Sequence, residues 1–370
     1  MKAYKLILVI AITLLACCTN NKNTNQKESA TISYAKCIEI TTHKDYSEAT
    51  VKNPWKAGSI LQKYILIDRE KPTPTGLPDG TVVKIPIKNV VVYSSVHGGV
   101  IKEIDGVRSI KGVCDANYFM MKEIQDGLKE NKIKDLGQSM APTIEKVIEL
   151  HPDAIFLSPY QNGNYGTLAT LGIPIIECAD YMESTPLGRA EWIKFFGLLY
   201  GNLPKADSIF NATEKSYKSL MTLIPKSGKR PKVITETITN GVWYVPGGES
   251  YMANILNDAG ANYPWKDNKS SGSIPLNFEK VLDEAQDANF WLIKSFKDNL
   301  SLNDIKEIYP LNSEFYAFKK GGIYACNTAK TTLFEDFPFH PEILLKEYIS
   351  IFYPNAIKGY QQKYFKKVIK

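Results

Sequence analysis

Hydrophobic residues along this chain change their spacing from segment to segment, and the spacing predicts the elements. Residues 34–70 alternate in the manner of strands and predict a hairpin-rich edge, followed by the Pro/Gly-rich loop "KPTPTGLPDG" at 71–80. "NVVVYSS" (89–95) is instead an unbroken apolar run ending in small polar residues, which suits a strand buried on both faces. Helices are predicted at "VIKEI" and "YFMMKEIQDGL", with the short strand "SIKGVC" (109–114) between them. "TIEKVIELHPDAIFLS" (143–158) gives a helix, with Pro142 near its first turn, and then a strand. "TLATLG" closes another helix at Gly172, and "IPIIECA" (173–179) is the next strand. Such strand–helix alternation implies βαβ units and a largely parallel sheet.

Between 184 and 225 the pattern turns wholly helical. Pro204 opens a helix in which Phe210, Thr213, Tyr217, Leu220 and Ile224 are spaced 3, 4, 3, 4, a single apolar stripe. At 1.5 Å per residue this rod is roughly 30 Å long, about the diameter of a domain. Alternation then resumes with "KVITETI", "VWYVPGG" and the helix "SYMANILNDAGA", ended by Gly260. Next comes "NFEKVLDEAQDANFWLI" (277–293), in which Glu145, Lys146, Val147, Asp153, Ala154 and Phe156 recur as Glu279, Lys280, Val281, Asp287, Ala288 and Phe290. "YAFKKGGIYACN" (316–327) in turn mirrors "LATLGIPIIEC". Two copies are too few for a solenoid. They predict two similar α/β lobes with mainly parallel, helix-flanked sheets, joined by one long helix.

Length agrees, since 370 residues suit two domains of about 120–180 residues each. With 44% hydrophobic and 23% charged residues the chain is globular. Its net charge of +6 comes without a dense Lys/Arg run in the body, which gives nucleic-acid binding no support. The basic tail "YFKKVIK" is expected to be a solvated helix end. At the other terminus "MKAYK" precedes the apolar "LILVIAITLLA", too short to span a membrane and suited to a signal peptide. The stretch ends in "LLAC", so residues 1–16 are expected to be removed and Cys17 lipidated. Residues 17–33, polar and aperiodic, then form a flexible tether. No second stretch approaches membrane length, so the remainder is expected to be soluble and extracytoplasmic. Cys37, Cys114, Cys178 and Cys326 are too widely spaced for a zinc ribbon. Buried free thiols are the favoured state, and no disulfide pairing can be chosen among the three.

Catalytic signatures are missing: there is no G-x-S-x-G elbow, H-E-x-x-H pair, phosphate loop or dinucleotide fingerprint, and the four histidines are scattered. The lipobox, the Ser-ended first strand, the duplicated E-K-[VI]-[IL]…D-A-[IN]-F unit and the long helix together resemble the substrate-binding proteins of ABC importers. The likeness is to the helix-bridged class that serves iron–siderophore, haem and cobalamin uptake, and it covers about 89–345. "HPDAIFLS" and "GRAEWIKFFGLLYG" are similar to that family's strand start and to the helix leading into its bridge.

The resemblance implies a rigid bridge at 184–225 between an N-terminal lobe (34–183) and a C-terminal lobe (226–370), with a ligand cleft between them. It implies a monomeric lipoprotein, periplasm-facing or on the cell surface, that hands a metal chelate to a dimeric ABC permease in the inner membrane. No intrinsic cofactor is implied. Glu145 and Glu279 match the positions that dock into arginine pockets of the permease, although either would also complement its own helix N-terminus. Strand ends place Ser94, Ser95, His97, Tyr160, Tyr181, Arg189, Trp243, Tyr244, Ser250, Tyr251 and Lys294 as cleft candidates. Aromatics among them would stack on a ring system and hydroxyls would orient it. His97 is read as a ligand to the cargo's metal or as a structural donor. Arg189 is equally placed to pair with Glu191 or Asp180. An enzyme or a non-transport sensor on the same scaffold is the alternative.

Overall fold

The structure, a computed structural model, describes residues 30–369. The signal-peptide stretch, Cys17 and the tether up to residue 29 therefore lie outside the described residues. The apolar run at 89–95 becomes the strand Val90–Val92 at the centre of a five-stranded parallel sheet. Its order is Ile175–Glu177, Ala154–Leu157, Val90–Val92, Ile110–Val113, Lys134–Asp135. Pleating sends Val90 and Val92 into one core and Val91 into another, which is why the run has no polar position. In the second half, Val233–Thr235, Phe290–Ser295 and Ile323–Asn327 are parallel neighbours.

The sequence repeat is a repeat of sheet position. Strands Val90–Val92, Ala154–Leu157 and Ile175–Glu177 lie side by side, and Val233–Thr235, Phe290–Ser295 and Ile323–Asn327 lie in the same relation. Each "EK" helix, Ile144–Glu149 and Phe278–Ala285, feeds the middle strand of its trio. A further three-stranded antiparallel meander, from Ile238–Thr239 through Val242–Pro246 to Ser273–Leu276, belongs to the second half alone.

Several local expectations are corrected. Residues 38–85 form a four-stranded sheet whose last pair is parallel, more than a hairpin-rich edge. Buried Tyr64 fastens it to the lobe, donating to Ile175 O at 3.0 Å and accepting from Glu177 N at 2.7 Å. Pro142 pairs with Gly137 before the helix begins at Ile144. The "TLATLG" segment is only a 3₁₀ turn, Gly166–Thr170. "YFMMKEIQDGL" is helical from Lys122 onward. The basic tail is not a helix end: Lys366–Lys367 pairs antiparallel with Tyr324 and Ala325 at the sheet edge. Cys37, Cys114, Cys178 and Cys326 are all unbridged.

The predicted bridge resolves into Pro186–Glu191, Ile193–Leu199 and the long helix Leu203–Met221. Its buried stripe is divided between the lobes. Leu203, Ala206 and Phe210 enter the N-terminal core, whereas Tyr217 and Leu220 enter the C-terminal one. Two buried carboxylates at its approach hold the start of the described chain. Glu191 accepts from the backbone N–H groups of Ser33, Tyr34 and Ala35, and Glu183 from those of Lys36 and Cys37.

A second junction crosses between the lobes. Glu335 Oε1, from the C-terminal half, accepts from Met120 N at 2.7 Å and Met121 N at 3.2 Å in the N-terminal half. Gly99 permits this seating, since a Cβ there would stand 2.2 Å from the Glu335 carbonyl oxygen. Beside it, His340 lies between Glu103 (3.5 Å) and Glu342 (3.1 Å). Burial opposes its charge, but hydrogen bonds to the two glutamates overcome this and push the His340 pKa up to about 10. Desolvation pushes Glu335 up to about 7 despite the two backbone donors.

Two predictions follow from this junction. Gly99→Ala should destabilise the protein by about 2 kcal/mol, measured by urea unfolding, because the clash is with backbone and cannot rotate away. For His340 the folded pKa lies above the ordinary 6.5, so its contribution is complete below about pH 6.5 and lost as pH rises towards 10. The melting temperature should fall across that window, and His340→Gln should flatten the fall; an unchanged slope would remove His340 as its cause.

Candidate functional site

Parallel strands in each half end at one edge of the sheet, and the residues just past those ends face each other across a cleft. Three cavities lie along it. One of about 480 Å³ is walled by Tyr93, Ser94, Leu157, Tyr160 and the 139–144 segment. A second, about 310 Å³, shares Tyr93 and Ser94, adds Ser95 and Tyr118, and is closed from the other lobe by Phe296, Thr328 and Phe334. The third, about 550 Å³, sets Tyr181 and Arg189 against Glu236, Tyr244, Ser250, Tyr251 and Lys294. Tyr181 OH donates to Pro159 O, beside Tyr160, and so ties the third cavity's wall to the first.

Local structure explains these placements. Ser94 and Ser250 are N-caps, accepting from Val96 N at 3.3 Å and Ala253 N at 3.2 Å. Each hydroxyl oxygen is occupied as an acceptor while its proton stays available to a ligand. In the strand Val242–Pro246, alternation turns Tyr244 out to the cavity and Trp243 inward. Tyr251 donates to Phe337 O at 3.1 Å, and the Arg189 guanidinium sits over its ring at 5.5 Å.

Two candidates do not reach the cleft. Trp243 is fully buried, donates its indole N–H to Thr235 O at 3.0 Å and stacks on Trp291 at 5.5 Å. His97 is equally buried: its Nε2 is 3.2 Å from Asp180 Oδ1 and its ring packs beside Phe196. Of its two readings, the structural one fits. Asp180, also buried, receives Arg189 Nε at 3.0 Å, which decides Arg189's partner. Glu191 is engaged by Lys194 and the N-terminal backbone instead. Burial raises the cost of ionising Asp180, but Arg189 and the His97 hydrogen bond outweigh it and hold the carboxyl below its ordinary range. Lys294 is paired with Glu236.

Sequence reasoning missed the most exposed aromatics, Phe296 (73% exposed) and Tyr118 (62%), together with Phe334. Phe296 directly follows the strand Phe290–Ser295, and the same strand-end logic that picked out Ser94 and Tyr160 would have found it. Asp115 and Glu236 were missed for another reason. Both follow strand ends with left-handed backbones (φ 50° and 64°), a conformation that costs about 1 kcal/mol for such residues and has no signature in sequence.

Glu145 and Glu279 are both exposed in the first turns of their helices. Neither forms an ion pair or side-chain hydrogen bond with the described residues. Ile144, beside Glu145, lines the 480 Å³ cavity, so the first turn of that helix lies next to the cleft. Among the described residues no group of three or more His, Cys, Asp or Glu is placed to hold a bare metal ion.

The periplasmic binding protein family model matches residues 90–329. A lipoprotein of Methanocaldococcus jannaschii is 29% identical over 94% of this chain and 88% of its own length. An iron-uptake system-binding protein of Bacillus subtilis is 23% identical, over 86% of this chain and 88% of its own length. Among solved structures, a triscatecholate siderophore-binding protein of Bacillus subtilis, in complex with ferri-bacillibactin, superposes with a TM-score of 0.59. That match has 19% identity and covers 78% of this chain and all of the other.

Asp180 provides the sharpest test of this site's architecture. Asp180→Asn would leave the Arg189 charge beside a buried neutral group and should cost about 3 kcal/mol in urea unfolding. A loss below about 0.5 kcal/mol would mean that Arg189 is solvated without its partner.

Proposed function

The chain belongs to the periplasmic binding protein family, and from that premise we propose that it is a lipid-anchored receptor that captures a metal chelate in the inter-lobe cleft and delivers it to an ABC permease. The observation that carries this reading is the wall chemistry. Tyr118, Phe296 and Phe334 converge from opposite lobes on one cavity, Tyr160 and Tyr244 project into the others, and hydroxyl donors at Ser94 and Ser250 stand beside them. Such surfaces stack on flat organic ligands and orient them by a few hydrogen bonds. A chelate suits this cleft better than a bare ion, because its organic shell offers area to aromatic rings. The iron-uptake name of the Bacillus subtilis relative supports a metal as cargo.

Anchoring through Cys17 draws support from the lipoprotein relative. No helix of the described residues is long and apolar enough to cross a membrane. The reading takes the protein to act as a monomer, and delivery rests on Glu145 and Glu279. A permease built of two like subunits offers two like sites, and one unpaired carboxylate per lobe would engage an arginine in each.

Charge reversal of both glutamates tests delivery apart from capture. Glu145→Lys with Glu279→Lys should lower uptake of the bound metal by about tenfold or more, while affinity of the purified protein stays within about twofold. Unimpaired uptake in the double variant would refute docking through these residues. Catalytic turnover of the ligand would point to an enzyme on the same scaffold.

A further inference from the structure

The cations that line the cleft are cancelled in place. No charged residue lines the 480 Å³ cavity, and Asp115 alone does so in the 310 Å³ one. The two cations of the cleft, Arg189 and Lys294, both line the 550 Å³ cavity, and each already faces an acid, Asp180 and Glu236 respectively. Nearby Lys330 is taken by Asp298 outside the cavity walls. With no free cation among the described residues that line these three cavities, nothing there offsets the charge of a polyanion, whose desolvation would go uncompensated.

Glu236 is the informative member of this set. Its backbone is left-handed (φ 64°), a conformation that Gly and Asn adopt with least strain. Both of its peptide groups are pinned: its N–H donates to Leu292 O at 2.9 Å, and its carbonyl accepts from the Trp291 indole at 2.7 Å. The carboxylate is thereby delivered to Lys294 on the cavity wall. Both side chains are about a quarter exposed (25% and 26%). A single partly exposed ion pair adds on the order of 1 kcal/mol, about what the left-handed backbone takes away. Stability therefore gives no reason for a glutamate at this position, and charge inside the cleft does.

We propose that Glu236 is a specificity-determining residue that neutralises Lys294, so that the cleft takes a metal chelate without net negative charge and rejects polyanionic ones. The proposal rests on the receptor reading above and names the class of cargo. Capture of a ferric trihydroxamate or a neutral corrinoid satisfies it; a ferric triscatecholate, with its multiple negative charge, does not.

The test titrates the wild type, Glu236→Asn and Glu236→Asn with Lys294→Gln against ferrichrome, cyanocobalamin and ferric enterobactin, following quenching of protein fluorescence. Wild type should bind an uncharged probe at least about tenfold more tightly than ferric enterobactin. Glu236→Asn should shift that ratio about tenfold towards the polyanion, in a salt-sensitive way, and the added Lys294→Gln should take the gain away. The melting temperature of Glu236→Asn should equal or exceed the wild type's, since asparagine relieves the backbone. Wild-type preference for ferric enterobactin, an unmoved ratio, or a marked loss of thermal stability in Glu236→Asn would each overturn the charge assignment and leave the receptor reading standing. Binding of no probe by any of the three proteins would count against the receptor reading and this assignment with it.

Discussion

One helix belongs to two hydrophobic cores, and the rest of the structure depends on that sharing. The first half of Leu203–Met221 is packed in the N-terminal lobe and the second half in the C-terminal lobe. Neither lobe can rotate far without bending a helix that has no Pro, Gly or bulge between Lys205 and Met221. A second crossing removes further freedom. Phe339 of the C-terminal half is buried in the N-terminal core, edge-on to Phe196 at 5.7 Å, and Glu335 is bonded to backbone on the far side. The cleft is thus held open at a nearly fixed width. A preformed site loses little to reorganisation when it binds, so affinity is decided by what the walls present. Any signal of occupancy must travel through small displacements of packed elements.

The same bridge fastens the first described residues. Five backbone N–H groups from Ser33 to Cys37 converge on Glu183 and Glu191, which are themselves buried against the bridging helices. Two further partners add to these contacts in a buried setting: Lys194 Nζ lies 3.0 Å from Glu191, and the Trp192 indole N–H donates to Glu183 at 3.0 Å. Tyr34 then reaches Glu214 on the long helix itself. The first described residues are thus fastened to the bridging helices themselves.

How far the sequence reveals this depends on whether a feature is periodic. The stripe Phe210, Thr213, Tyr217, Leu220 and the apolar run Val90–Val92 are patterns of burial, and burial is what periodicity records. The helix–strand repeat survives as residue identities because both copies occupy the same position in their sheets. Short elements were lost where local chemistry overrides pattern. Residues 166–170 lack the length for an α-helix, and "YFKKVIK" lends its polar backbone to a sheet edge that sequence does not show. Within the cleft, strand-end logic found Ser94, Tyr160 and Tyr244 but placed Trp243 and His97 on the wrong side. A residue just past or within a strand end can face either way, and which way depends on pleat and on the partner it meets. Asp180, buried 83 positions from His97, is such a partner.

Duplication leaves the two lobes alike on the outside and unlike within. The "EK" helices put Glu145 and Glu279 in equivalent first turns at equivalent strands, whereas the cavity walls behind them share almost nothing. The N-terminal wall offers Tyr93, Ser94 and Tyr160; the C-terminal wall carries the meander, the aromatic Phe296 and the Glu236–Lys294 pair. If the rims dock as proposed, different constraints act on the two surfaces. A partner with twofold symmetry rewards retention of matched contacts, because loss of either weakens the whole engagement. A single small ligand has no such symmetry, and a wall that copied its opposite would present the same groups to two different sides of it. Insertion of the meander into one copy alone, and the left-handed glutamate beside it, fit a cleft whose halves have been freed to specialise while their rims have not.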